Sequence, residues 1–272
     1  MHKTAILLGS KPGAVAALLL LLKQGWTVKE VVASPEQANW LPRPSLYEVS
    51  EKLGIRTVTK QSDLSEYNVD LVISYMCRSL VKKPTLARGK YALNFHAGPL
   101  PQFGGWAFYN VAILEGSDEY GCTCHIMDGS FDTGPLVKVR RFSINSQHET
   151  ALSLERKAQV EMILLFREVI SGYEINEKIS QLAQDRGLMR YMNAKEFRRL
   201  KEIPADATPE MADRIARAFW YPPYEMAYTK LSNGTKVEVI PEIVKLDLAS
   251  RMHESDLEGL LSVVGLDLTL VG

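Results

Sequence analysis

Apolar positions in the first 170 residues fall into short unbroken runs separated by stretches of helical spacing. Residues 4–8 (TAILL), 28–33 (VKEVVA), 55–59 (IRTVT), 70–75 (DLVISY) and 91–95 (YALNF) read as strands, and 122–127 and 136–142 as two more. Helices are predicted over 14–23, after the turn Gly-Ser-Lys-Pro-Gly at 9–13, over 45–53 with Gly54 as its C-terminal stop, and over 108–114. A long helix runs from 150 to about 172. Thr150 suits its N-cap, and Leu152, Leu154, Ala158, Met162, Leu165 and Val169 supply one apolar face. Strands that are apolar on both faces, alternating with helices, imply a mostly parallel, doubly wound α/β sheet.

Beyond about residue 190 the texture changes. Pro204, Pro209, Pro222 and Pro223 punctuate it, residues 230–240 (KLSNGTKVEVI) read as a hairpin around Asn233-Gly234, and 257–264 fits a short helix or a strand. Two units follow: residues 1–190, and a small mixed or β-rich domain over 191–272. Val263, Val264, Leu266, Leu268 and Leu270 need cover, so a homodimer through this end is an expectation.

Charge narrows the function. Lys+Arg and Asp+Glu balance at 32 each, which argues against a protein that grips nucleic acid through excess basic charge. The longest apolar run, 14–22, is about half a membrane span and follows a turn rather than a charged leader. A cytoplasmic protein with no membrane partner is the expectation. Three cysteines make a disulfide framework unlikely in a chain this long, and nothing near Cys122 and Cys124 completes a zinc set, so no metal is expected.

The informative segment is 91–142. Asn94 and His96 end a predicted central strand and share one of its faces, with Phe95 on the other. The loop that follows (AGPLPQFGGW, 97–106) is a shaped backbone, and Asp132 sits in a turn between two strands. An amide donor, an imidazole and a carboxylate are the parts acyl transfer to an amine needs. Each also has a plainer reading, as a turn cap, a hydrogen-bonded core histidine and an Asx-turn residue. Loop 9–13 either cradles a phosphate on a helix N-terminus or is a tight βα turn; it lacks the spacing of both nucleotide fingerprints.

Residues 94–105 (NFHAGPLPQFGG) resemble the N-x-H-x-S-x-L-P-x-x-x-G signature of the N10-formyltetrahydrofolate-dependent formyltransferases. Residues 121–136, with Asp132-Thr133-Gly134, are similar to that family's second signature. Ala97-Gly98-Pro99 departs from the usual Pro/Gly-Ser-Leu. The resemblance implies a Rossmann-like domain with N10-formyltetrahydrofolate as co-substrate. It implies that His96 serves the attacking amine, Asn94 holds the oxyanion and Asp132 orients His96. It also implies a pterin cradle from Met76, Cys77, Arg78, Ser79 and Leu80 and from Asp128, Gly129 and Phe131, with Leu100 as a wall.

Residues 214–224 (RIARAFWYPPY) are similar to a segment of the sugar N-formyltransferases. Phe219, Trp220, Tyr221 and Tyr224 with two arginines suit stacking on a base and meeting a diphosphate, or alternatively interdomain packing. Trp106 and Tyr109 are further expected sugar contacts. The resemblance implies a primary amine on a nucleotide-linked dideoxy-amino sugar as acceptor. Residues 190–272 carry 11 Lys/Arg against 13 Asp/Glu, a poor surface for tRNA. Methionyl-tRNA or glycinamide ribonucleotide as acceptor, or a non-catalytic folate- or nucleotide-binding protein, are the alternatives.

Overall fold

The computed structural model of the protein describes residues 3–38, 41–77, 79–105, 107–189, 192, 194–245 and 257–266. Seven strands form one sheet: β1 (Thr4–Gly9), β2 (Thr27–Val32), β3 (Arg56–Val58), β4 (Val69–Tyr75), β5 (Gly89–His96), β6 (Glu119–Ile126) and β7 (Leu136–Ser143), in the order β3-β2-β1-β4-β5-β6-β7. The first five are parallel, and β6 and β7 are antiparallel additions. The mostly parallel α/β sheet read from the sequence is therefore present.

Helix α1 (Pro12–Lys23) is buried from Gly13 to Leu21, because a helix apolar all round must be covered all round. Pro12 at its first position needs no N–H partner there. Cover on the side away from the sheet comes from the chain's own end. Helix α8 (Leu257–Val263), the element left open as helix or strand, buries Leu257, Leu260 and Leu261, and Lys23 Nζ donates to the Gly265 carbonyl at 2.6 Å. Of the tail residues expected to need a second copy, Val264 and Leu266 are buried within this chain, Val263 is half-exposed, and Leu268 and Leu270 lie outside the described residues.

Two more helices begin on capping boxes: α2 (Leu46–Lys52) on Ser45 and Glu48, and α5 (Ala151–Asn176) on Thr150 and Ser153. Under α5, Phe166 meets Phe95 and Tyr75 at ring centroids of 4.8 and 5.7 Å. This aromatic layer fixes the height of β4 and β5, the strands that carry the site. Short helices α3 (Lys83–Leu86) and α4 (Phe108–Leu114) bracket β5.

The C-terminal segment holds α6 (Ala194–Arg199), α7 (Pro209–Phe219) and a two-stranded sheet of β8 (Tyr228–Lys230) and β9 (Lys236–Glu238), the hairpin expected around Asn233-Gly234. Its described apolar residues do not close a core of their own: Ile203, Ile215, Ala218, Phe219 and Ala227 join the cluster that packs under the main sheet. Arg217 fastens it. This guanidinium is buried, donates to the carbonyls of Ser146 and Glu149, and pairs with Asp213 at 2.6 Å. Asn110 Nδ2 adds a bond to the Ala218 carbonyl at 2.6 Å.

Replacing Arg217 by Ala removes three partners from a buried charge network. The loss of unfolding free energy in urea should be about 3 kcal/mol. A loss under about 1 kcal/mol would show that the segment is held by apolar packing alone.

Candidate active site

The site grows from one strand pairing. β5 and β6 run antiparallel with Asn94 opposite His125 and His96 opposite Thr123. Alternation then puts all four side chains on one face and sends Phe95, Cys122 and Cys124 into the core.

Asp132 comes in from the turn after β6, in the left-handed region at φ 55°. Its Oδ2 accepts from the Gly105 N–H at 2.9 Å, while Oδ1 lies 3.7 Å from His96 Nδ1 and 3.5 Å from His125 Nε2. Gln184 Nε2 pins the same turn through the carbonyls of Asp132 and Gly134, at 3.0 and 2.5 Å. Burial alone would raise the Asp132 carboxyl's pKa, but His96, His125 and the Gly105 N–H together hold it well below the usual carboxylate range. The site therefore keeps a fixed negative charge at every working pH.

His96 is 6% exposed. Its Nε2 faces the Phe103 carbonyl at 2.8 Å, and its ring stands edge-on to Phe108 at a centroid distance of 4.6 Å. His125 Nδ1 donates to the Ile126 carbonyl at 2.8 Å, and its Nε2 lies 3.0 Å from Asn94 Nδ2 and 3.5 Å from Asp132 Oδ1. The other Asn94 N–H faces Asp132 Oδ1 at 3.5 Å, too long to hold it, so it is the donor available to a developing oxyanion.

The loop between them is braced from β6. Thr123 Oγ1 accepts from the Leu100 N–H at 2.9 Å and donates to the Gly98 carbonyl at 2.8 Å, and the Tyr120 hydroxyl donates to the Ala97 carbonyl at 3.0 Å. Asn94, His96 and Asp132 are thus brought together as the sequence anticipated. His125, Thr123 and the backbone of Phe103 and Gly105 complete the cluster and were missed. The polar alternation Thr123, His125 between Cys122 and Cys124 was the available signal.

The expected ligand contacts divide. Met76 sits in the left-handed region at φ 52°, Leu80 and Phe131 are exposed, and Cys77 packs with Met127 of the opposite loop on one small cluster. Ser79 Oγ lies 3.4 Å from Cys77 Sγ, Asp128 accepts from the Ser130 N–H and the Thr133 hydroxyl, and Gly129 adopts φ 91° beside Lys83. Both loops thus rest on the cluster that holds Ile6, Leu8, Val72 and Ala92. Leu100 is buried at 1% exposure, its backbone N–H held by Thr123. Tyr109 is buried too, packed between Phe108 and Tyr120 in the core. Arg78 and Trp106 lie outside the described residues.

Of residues 214–224, Phe219 and Arg217 serve packing. Arg214 lines a cleft of about 840 Å³ with Arg199, Met211 and Val111, which none of the three central residues lines. Tyr221 stays near the surface, where its hydroxyl takes a hydrogen bond from Lys11 Nζ at 3.1 Å; Lys11 also pairs with Glu155 at 2.9 Å. Among the described residues no group of side chains forms a metal cluster, and no helix is long and apolar enough to cross a membrane.

The formyl transferase family model matches residues 22–170, more than half of the chain. The chain belongs to the formyl transferase family. It is an enzyme that transfers formyl groups. A GDP-perosamine N-formyltransferase of Brucella melitensis biotype 1 is 29% identical over 184 residues, 66% of this chain and 67% of that protein. A methionyl-tRNA formyltransferase of Geobacter metallireducens is 26% identical over 282 residues, 98% of this chain and 86% of that one. Among solved structures, an N-formyltransferase from Helicobacter canadensis in complex with folinic acid and dTDP-3-aminofucose superposes with TM-score 0.70 at 24% identity, covering 87% of this chain and 86% of that one. A 4-N formyltransferase from Francisella tularensis gives 0.72 at 20% identity, over 88% and 98%. These two likenesses establish the fold.

The Asp132 carboxyl titrates lower in the folded than in the unfolded chain. The stability it contributes is therefore fully present above its unfolded value of about 3.9 and is lost as pH falls below that. Asp132→Asn should remove that component. The gap in melting temperature between wild type and variant should hold constant from pH 7 to 5 and narrow below about pH 4. A gap that does not narrow below about pH 4 would show that folding does not lower the Asp132 carboxyl.

Proposed function

We propose that this formyl transferase moves a formyl group from N10-formyltetrahydrofolate to the primary amine of a nucleotide-linked dideoxy-amino sugar. The observation that carries the reading is the convergence of Asn94, His96 and Asp132 at the carboxyl end of β5. The folate co-substrate supplies the formyl carbon. Its ring system suits the cleft between loops 76–80 and 128–131, whose exposed Leu80 and Phe131 offer apolar faces. The folinic acid held by the Helicobacter canadensis relative supports a folate co-substrate.

In the reaction the amine nitrogen bonds to the formyl carbon, the carbon–N10 bond breaks, and one amine proton ends on N10. Asn94 Nδ2 donates to the oxyanion, and His96 carries the proton. Asp132, ionised throughout, stabilises His96 when the ring is charged, as a buried fixed carboxylate does best. Among the described residues no cysteine beside the triad is an activated nucleophile, since Cys122 and Cys124 are buried and their thiols are pushed up by burial. Direct transfer is the route.

The nucleotide-linked acceptor rests on the Brucella melitensis relative and on Tyr221, half-buried beside Lys11 at the amino end of α1. A second reading, the α-amine of an aminoacylated tRNA, is favoured by the Geobacter metallireducens relative, matched over nearly the whole chain. The excess of acidic residues over 190–272 weighs against it.

Incubation with N10-formyltetrahydrofolate and a panel of uridine, thymidine and guanosine diphosphate amino sugars, read by mass spectrometry, should show one formyl gained by one member. Tyr221→Ala should then raise the KM for that sugar by about tenfold with kcat nearly unchanged. No gain across the panel, with methionyl-tRNA formylated in parallel, would replace the sugar reading by the second one.

A further inference from the structure

Gly98 stands at the serine position of the N-x-H-x-S pattern. A Cβ built on it would fall 2.7 Å from His96 Nε2 and 2.7 Å from the Phe103 carbonyl oxygen. These are the two atoms joined by the 2.8 Å hydrogen bond, so the space a side chain would fill is the space in which that bond forms. Neither partner is free to retreat. The imidazole is buried against Phe108, and the loop bearing Phe103 is tied at Gly98 and Leu100 to Thr123 and closed by the Phe103 N–H on the Pro99 carbonyl at 3.1 Å.

We propose that Gly98 is a positioning residue. By leaving that space empty it lets the Phe103 carbonyl hold the Nε2 proton of His96, which makes Nδ1 the nitrogen that gains and loses the proton during transfer. A carbonyl oxygen only accepts, so a neutral His96 must carry its proton on Nε2 and its lone pair on Nδ1. Nδ1 lies on the Asp132 side, 3.7 Å from Oδ1. An ionised carboxylate has no proton to donate, so Asp132 leaves that lone pair uncommitted in the resting protein. The amine's proton passes to Nδ1 as the new carbon–nitrogen bond forms. The charged ring then faces the carboxylate, and the same proton leaves Nδ1 for N10 as the carbon–N10 bond breaks. The proposal rests on the reading of His96 as proton carrier.

Long-range proton–nitrogen NMR on the wild-type protein, at a pH where the ring is neutral and with His96 assigned by its loss in His96→Gln, should show the Nε2–H tautomer. The Nδ1–H tautomer would overturn the proposal, whether or not any variant folds. Gly98→Ala and Gly98→Ser should disturb that tautomer and lower kcat by at least about tenfold. Their KM values should stay within about threefold of wild type. A loss of rate with the tautomer unchanged, or a full rate with the contact blocked, would also overturn it. Full activity in His96→Ala would instead sink the proton-carrier reading, and the tautomer spectrum separates that failure from the first.

Discussion

The register between β5 and β6 is the constraint on which the rest of the site depends. With Asn94 opposite His125 and His96 opposite Thr123, one strand supplies the amide and imidazole while its neighbour supplies what holds each in place. A slip of β5 by one residue would turn Asn94 and His96 into the aromatic core and bring Phe95 out. The core forbids that slip, because Phe95 is packed between Tyr75 and Phe166. Apolar packing on one face of the sheet thus specifies polar geometry on the other.

Asp132 uses that geometry. A buried carboxylate with no partners would neutralise itself, and this one stays charged because two imidazoles and the Gly105 N–H converge on it. Holding it there takes backbone in sparsely populated conformations. Met76, Ala107 and Asp132, all near the carboxyl ends of the central strands, have positive φ without being glycine. Such strain persists where surrounding bonds over-determine the chain, as Gln184 does at the Asp132 turn.

Most of the sheet was legible because its strands are apolar on both faces and its helices carry caps, as with Ser45 and Thr150. The three central polar residues were legible from motif spacing. Their partners were not, because His125 looks like any core histidine until the pairing of β6 with β5 is known. The role of the C-terminal segment was also hidden. The proline-rich punctuation gave no sign that α8 covers α1 across 242 residues of sequence, or that α7 packs on α4. Arg217 and Arg214, three positions apart on α7, read alike in sequence but end up in a buried network and at an open cleft. Leu100 and Tyr109 are both buried for one physical reason: neighbouring bonds and rings draw them inward.

The central claim is that His96 and Asp132 act as one unit in formyl transfer, and a double-mutant cycle on kcat/KM for formyl transfer tests it most directly. If they do, His96→Ala and Asp132→Asn each lower the rate by at least about a hundredfold, and the double variant is scarcely worse than the more damaging single one. Losses that multiply, or single variants that retain rates within a few-fold of wild type, would contradict a shared centre.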